Sequence, residues 1–116
     1  MSWIGTWHNQ YGSKLVLTDD ANGRIAGTFG TALRDSGFFG RDYDVVGVHY
    51  GDCISFAFAG PTPDGDKVCA FTGVLREGKI QTVWHVVSDN AATGEGKRAW
   101  PHAVMTNVDT FEKSQP

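Results

Sequence analysis

The feature that most constrains this chain is its rhythm. Short segments of alternating apolar and polar residues return about every dozen residues, and each is closed by residues that favour tight turns. Ile4–Asn9 is closed by Gln10-Tyr11-Gly12. Ser13–Thr18 sets Leu15 and Leu17 against Lys14 and Val16, and Asp19-Asp20-Ala21-Asn22-Gly23 follows. Asn22-Gly23 is the strongest hairpin signal, because both residues tolerate a positive φ. Arg24–Thr31 is a third segment, Ala32–Arg41 a glycine-containing loop, and Asp42–Tyr50 a fourth strand. Gly51-Asp52 turns the chain into Cys53–Ala59. Gly60-Pro61-Thr62-Pro63-Asp64-Gly65-Asp66 reads as a loop before Lys67–Leu75, and Arg76-Glu77-Gly78-Lys79 is a tight turn into Ile80–Ser88. A polar stretch, Asp89–Lys97, precedes the last segment, Val104–Phe111, and a short helical turn is allowed within Asp89–Pro101. The pattern is all-β: an eight-stranded antiparallel up-and-down barrel. Closure removes the exposed sheet edges, and eight strands leave an interior that side chains fill or that holds one small ligand.

Composition narrows what such a barrel can do. At 116 residues the chain suits one domain spanning 1–116, and 41% hydrophobic with 20% charged residues excludes intrinsic disorder. Glycine is 15 of 116 residues, about twice the usual ~7% share, as many tight turns require. Apolar runs such as Cys53–Ala59 fall far short of the ~20 residues of a membrane-spanning helix. The ten Lys and Arg residues are scattered and the net charge is −3, so neither a nucleic acid nor a membrane is an expected partner. Met1-Ser2-Trp3 lacks the charged and apolar regions of a signal peptide.

The reactive residues point away from catalysis and metals. The two cysteines lack zinc-ligand spacing, and alternation turns His8 and His85 outward while His49 and His102 have no ligand-spaced neighbours, so no metal is expected. Cys53 falls on the outward register and Cys69 on the inward register of Phe71, opposite Phe58. Five residues of strand then separate the pair, ~17 Å at strand rise and beyond the ~7 Å limit for a bridge, so both are expected as free thiols. The inward polar residues Ser13, Cys69 and Asp109 have no inward histidine as base, and the chain has no nucleophile elbow, P-loop or dinucleotide fingerprint. No catalytic residue is expected. Asn9 and Ser13 flank a turn, where both residue types are common for backbone reasons. An inward Asp109 in an apolar strand needs a partner, and Asn9 or Trp7 could supply it.

Five ordered motifs carry a family resemblance over nearly the whole chain. Gly5-Thr6-Trp7-His8-Asn9-Gln10-Tyr11-Gly12-Ser13 resembles the first-strand signature of the avidin/streptavidin family. Gly27-Thr28-Phe29 is similar to its G-T-Y, Phe71-Thr72-Gly73 to its W-S-G, Thr82-Val83-Trp84 to its T-Q-W and Asp109-Thr110-Phe111 to its D-T/S-F. The resemblance implies a barrel that binds biotin near one open end, with no metal, and a secreted or periplasmic protein.

A buried urea needs a donor for its carbonyl and acceptors for its N–H groups, because an unpaired buried polar group costs about 1–3 kcal/mol. By resemblance, Asn9 and Ser13 donate to the urea oxygen, Asp109 and Thr31 meet the N–H groups, and Trp84 and Phe71 wall the apolar part. Trp100 stands where the family has its intersubunit tryptophan, nine residues before Asp109 and one more than the family spacing. A homo-oligomer, dimer or tetramer, is implied, and outward Val83 and Val87 need cover. Four positions depart from the family. Phe29 replaces a tyrosine donor, Cys69 a threonine at the ligand sulfur, and Lys67 a serine at the carboxylate tail. Gly60 stands in place of a covering tryptophan, which is expected to open one wall. Together these imply affinity several orders of magnitude below the family's best. Alternatives are a different small cyclic urea or amide in the same barrel, or a lipocalin-like carrier.

Overall fold

The computed structural model describes residues 2–34, 36, 38–62, 65–89 and 104–114, and the side chains of all of these except 104 and 105. Eight strands follow one another in chain order: β1 (Gly5–Asn9), β2 (Lys14–Asp19), β3 (Arg24–Gly30), β4 (Tyr43–Tyr50), β5 (Cys53–Thr62), β6 (Gly65–Arg76), β7 (Lys79–Ser88) and β8 (Val104–Lys113). Each is antiparallel to the next, and β8 returns to β1 through Trp7↔Lys113 and Asn9↔Phe111, so the sheet closes into a barrel.

The turns form where their residues permit them. Asn22 and Gly23 adopt φ of 58° and 74° in a short helical turn, Ala21–Gly23, rather than in a two-residue loop. Gly51 (φ 57°) links the Tyr50↔Cys53 pair, and Glu77 and Gly78 (φ 53° and 79°) link Arg76↔Lys79. The expected loop over 60–66 is a correction. β5 runs on to Thr62 and β6 starts at Gly65, with Gly60↔Lys67, Pro61↔Asp66 and Thr62↔Gly65 in register. The β4–β5 ladder begins only at Val46↔Ala57, so Pro61 lies beyond it, where a missing N–H costs no ladder bond on that side. The helical turn allowed within Asp89–Pro101 falls almost wholly outside the described residues.

Strand alternation sorts the side chains. Trp7, Leu15, Leu17, Ile25, Val45, Ile54, Phe56, Ile80 and Phe111 point inward and are nearly fully buried. They fill the end of the barrel that carries the β2–β3, β4–β5 and β6–β7 turns. Trp3 caps this end, its carbonyl accepting the Trp7 indole N–H at 2.9 Å. Tight curvature demands small residues on the inner face: a Cβ on Gly47 would meet Phe56 Cα at 2.7 Å. Toward the opposite end the inward positions turn polar, at Asn9, Ser13, Lys67, Thr82, Ser88 and Asp109. Cys69 stands opposite Phe58 and Cys53 opposite Val74; both are free thiols, the first buried and the second exposed.

Candidate functional site

The polar end encloses a cavity of about 360 Å³, within the usual range for small-ligand sites. Nine of the residues singled out from the sequence line it: Asn9, Ser13, Phe29, Thr31, Lys67, Cys69, Phe71, Trp84 and Asp109. Trp100 lies outside the described residues.

The β1–β2 turn sets one wall. The Asn9 carboxamide oxygen accepts the backbone N–H groups of Tyr11 (3.0 Å) and Ser13 (2.9 Å), which fixes the side chain as part of the turn. Its Nδ2 donates to Asp109 Oδ2 at 3.1 Å. An amide nitrogen carries two N–H donors, so the turn and the carboxylate together leave one for the cavity. Ser13 Oγ accepts the Ala32 backbone N–H (2.9 Å) and lies 3.4 Å from Thr31 Oγ1. The two hydroxyls thus stand side by side on the cavity wall. Asn9 and Ser13 serve the backbone and face the cavity at once, so the turn-forming reading and the binding reading are compatible.

Asp109 is the acceptor at the centre of this wall. Besides Asn9, Gln10 Nε2 donates to its Oδ1 at 3.1 Å, while Gln10 Oε1 accepts the Thr110 N–H at 3.0 Å. Trp7, considered from the sequence as a partner, instead serves Trp3. Burial pushes the Asp109 carboxyl above the ordinary carboxylate range, opposed by the Asn9, Trp84 and Gln10 donors. The Trp84 indole N–H acts on this carboxylate at a geometry looser than a hydrogen bond. It is buried and has no hydrogen-bond partner among the described residues. Burial, reinforced by the Asp109 charge, raises the Cys69 thiol to about 12, which keeps it neutral and poorly nucleophilic.

The rest of the wall is aromatic. Phe29 stacks on Phe58 (5.0 Å) and Phe71 on Phe56 (4.9 Å), while Phe38 meets Phe58 edge-on (5.0 Å). The expectation that Gly60 opens a wall is corrected. A Cβ at Gly60 would meet Tyr43 Cε2 at 2.6 Å; the buried Tyr43 ring occupies the space a larger residue would need and packs on Phe58 at 5.3 Å. Five lining residues were not anticipated: Tyr11, Leu33, Ser36, Phe38 and Val86. The Phe38-Phe39 pair in a glycine-containing loop was the available signal, since aromatic side chains in a polar loop need something to cover. Gln10 was missed too, because its outward register on the turn hides its reach to Asp109.

Chemically the site offers hydrogen-bond donors beside a carboxylate acceptor at one place, apolar rings around them, and an ammonium at Lys67. Among the described residues no histidine lines it. Among the described residues no group of His, Cys, Asp and Glu is placed to hold a metal ion.

The profile of the Avidin family matches residues 1–114. Among solved structures, a bradavidin2–biotin complex superposes with a TM-score of 0.78 at 18% identity, covering 99% of this chain and 100% of that one. A rhizavidin–biotin complex gives 0.79 at 22% identity, covering 99% and 94%. Apo shwanavidin gives 0.79 at 20% identity, covering 99% and 98%. No curated protein sequence matches the chain.

Proposed function

The chain belongs to the avidin family, and on that premise we propose that it is a binding protein rather than an enzyme, taking up biotin reversibly in the cavity at the polar end of the barrel. The carrying observation is the convergence of Asn9 and Ser13 donors on the same wall as the buried Asp109 carboxylate. A cyclic urea needs both sets at once. Its oxygen accepts from Asn9 Nδ2 and Ser13 Oγ, and its N–H groups donate to Asp109 and Thr31. Trp84, Phe71, Phe29 and Phe38 enclose the apolar ring and chain. The biotin complexes of bradavidin2 and rhizavidin support the ligand.

Affinity below the tightest of the family follows from two positions. Phe29 brings no hydroxyl to the urea oxygen, and the neutral Cys69 thiol is a weak donor toward the ligand sulfur. At about 0.5–1.5 kcal/mol for each weakened contact the deficit is roughly 1–3 kcal/mol, or about five- to a hundredfold. That is smaller than the several orders of magnitude implied by sequence, because Tyr43 fills the place beside Gly60. Phe29 also favours a second reading, in which the ligand is another cyclic urea or amide that asks less of the donor set.

Self-association is the second part of the proposal. On the outer face, Val48, Ser55, Thr72, Val83 and Val108 form one row across β4–β8. Val48, Val83 and Val108 are exposed, as are Val46, Val68 and Val87 beside them. Exposed valines on β4, β6, β7 and β8 mark a protein contact surface, here for a second copy of the chain.

Isothermal titration with biotin tests the binding proposal. Saturable binding at one site per chain supports it, and no heat at high micromolar ligand with the protein folded overturns it. Binding as tight as that of the tightest complexes of the family overturns the reduced affinity.

A further inference from the structure

Resting on the biotin reading, we infer that Gln10, which lies outside the cavity lining, is a positioning residue: its side-chain amide stands in for a peptide unit of β1 alongside β8 and so holds the Asp109 carboxylate in place as the ligand's acceptor. The β1–β8 ladder stops at Asn9↔Phe111. There the chain leaves β1 for the turn, in which the Asn9 carbonyl accepts the Gly12 N–H at 3.0 Å. β8 extends past that pair, back to Val104. Alternate residues of a strand turn their backbone groups to the same side. Val108 and Thr110 therefore face the place that β1 has left, while Asp109 faces β7, its carbonyl accepting the Thr82 hydroxyl at 2.8 Å. Side chains fill that place. Gln10 Oε1 accepts the Thr110 N–H at 3.0 Å, Gln10 Nε2 lies 3.5 Å from the Val108 carbonyl, and Asn107 Oδ1 accepts the Val108 N–H at 2.8 Å.

This clasp decides which end of the amide meets the carboxylate. The Thr110 N–H needs an acceptor, so Oε1 turns to it and Nε2 is left to donate to Asp109 Oδ1 at 3.1 Å. The reversed amide would set an oxygen against the carboxylate and an N–H₂ against an N–H, satisfying neither. Asn9 is fixed in the same manner from the other side. The N–H groups of Tyr11 and Ser13 take its oxygen, and its Nδ2 donates to Asp109 Oδ2. Each carboxylate oxygen thus has one amide donor that cannot flip, and its remaining lone pairs are aimed before a ligand arrives. Both donors favour the charged carboxylate, against burial, which favours the neutral acid. Around Asp109, β1 brings Asn9 and Gln10, and β7 brings Thr82 and Trp84. The titratable groups that share the cavity wall are Tyr11 on the β1–β2 turn and, from β6, the neutral Cys69 and Lys67. Lys67 pairs with Ser88, six residues along β7 from the Thr82↔Asp109 pair.

The test measures biotin affinity against pH by calorimetric titration of the full chain, unaltered and as Gln10→Glu and Gln10→Met, with the strand spectrum of each checked by circular dichroism. Glutamate keeps the shape and still accepts the Thr110 N–H, but presents a second carboxylate where Asp109 needs a donor. Methionine removes the clasp as well; should it fail to fold, Gln10→Glu carries the test. At neutral pH both variants are expected to bind biotin about two- to tenfold more weakly, as for the loss of one hydrogen bond. In both, the acid-side fall in affinity should begin at a higher pH than in the unaltered protein. A clasp that serves the strand alone leaves Gln10→Glu with unchanged affinity and pH profile, and that result overturns the inference. An unshifted pH profile in folded Gln10→Met overturns it too. In Asp109→Asn, which has no carboxylate to hold, adding Gln10→Met should no longer move the affinity, and an undiminished further loss counts against the inference in the same way. Biotin binding that neither variant alters removes this inference and leaves the biotin reading standing. No binding of biotin by the folded, unaltered protein removes both.

Discussion

Replacing Asp109 with asparagine separates the ligand's needs from the fold's. Two donors sit on the carboxylate, Asn9 Nδ2 at 3.1 Å and Gln10 Nε2 at 3.1 Å, and the Trp84 indole N–H faces it. An asparagine keeps the shape but offers one accepting oxygen and turns a donor toward the other side. In the empty protein the change has opposing parts. It relieves the cost of burying a charge, which is what raises this carboxyl. It also leaves one buried donor poorly satisfied, worth about 1–3 kcal/mol. Folding stability is therefore expected to move by no more than about 1–2 kcal/mol, and the barrel should still form. For the ligand nothing opposes the loss. A urea N–H now meets an amide N–H₂, and the missing hydrogen bond to a charged group is worth about 1.5–3 kcal/mol, or about ten- to a hundredfold in affinity. Thermal melts paired with biotin titration at neutral pH read both quantities. Unchanged affinity with intact folding would refute the placement of the urea against Asp109. A collapse of stability would show that this carboxylate is chiefly structural.

Four further outcomes follow from the same geometry. Phe29→Tyr, which directs a hydroxyl into the cavity, should tighten biotin binding about two- to tenfold; an unchanged or weaker titration would mean that the urea oxygen does not face this ring. Because burial raises the folded Asp109 carboxyl above its unfolded value, this group favours folding least above its folded pKa and more as pH falls through it. Ligand binding needs the carboxylate and runs the opposite way, so affinity should begin to fall at a pH above the ~4 of an ordinary carboxylate; affinity that stays flat below pH of about 4 would contradict this. Thiol titration of the native protein at pH of about 8 should give one accessible group, the exposed Cys53, with Cys69 reacting only on unfolding; two fast groups would contradict the inward register of β6. Light scattering at micromolar concentration should report a dimer or tetramer, and Val83→Lys with Val108→Lys should shift it toward monomer; a monomeric unaltered protein would remove the role given to the outer face.

The sequence made the strands legible because alternation and turn chemistry are local. Leu15 and Leu17 against Lys14 and Val16, or Glu77-Gly78 between Arg76 and Lys79, carry their structural instruction within a few residues. The polar wall was legible for a related reason: Asn9, Ser13 and Asp109 break the apolar pattern of inward positions, and buried polar residues need partners. The misreadings arose where remote packing decides. Gly60-Pro61 has a turn composition, yet the pairing with β6 carries β5 through it to Thr62. Gly60 read as a gap because nothing local shows that Tyr43, seventeen positions upstream, lays its ring there. Phe38 escaped for the same reason, since a loop residue reveals its cover only once the barrel mouth exists. Gln10 reaches Asp109 across ninety-nine residues of chain, a separation no local pattern encodes.

The most direct test of the central claim is a crystal structure of the protein soaked or co-crystallised with biotin. The ureido oxygen is expected within hydrogen-bond distance of Asn9 Nδ2 and Ser13 Oγ, an ureido N–H on Asp109, and the tail directed toward Lys67. A biotin molecule bound with its carboxylate at Asn9 and its urea at Lys67, or held anywhere outside this cavity, would contradict the account.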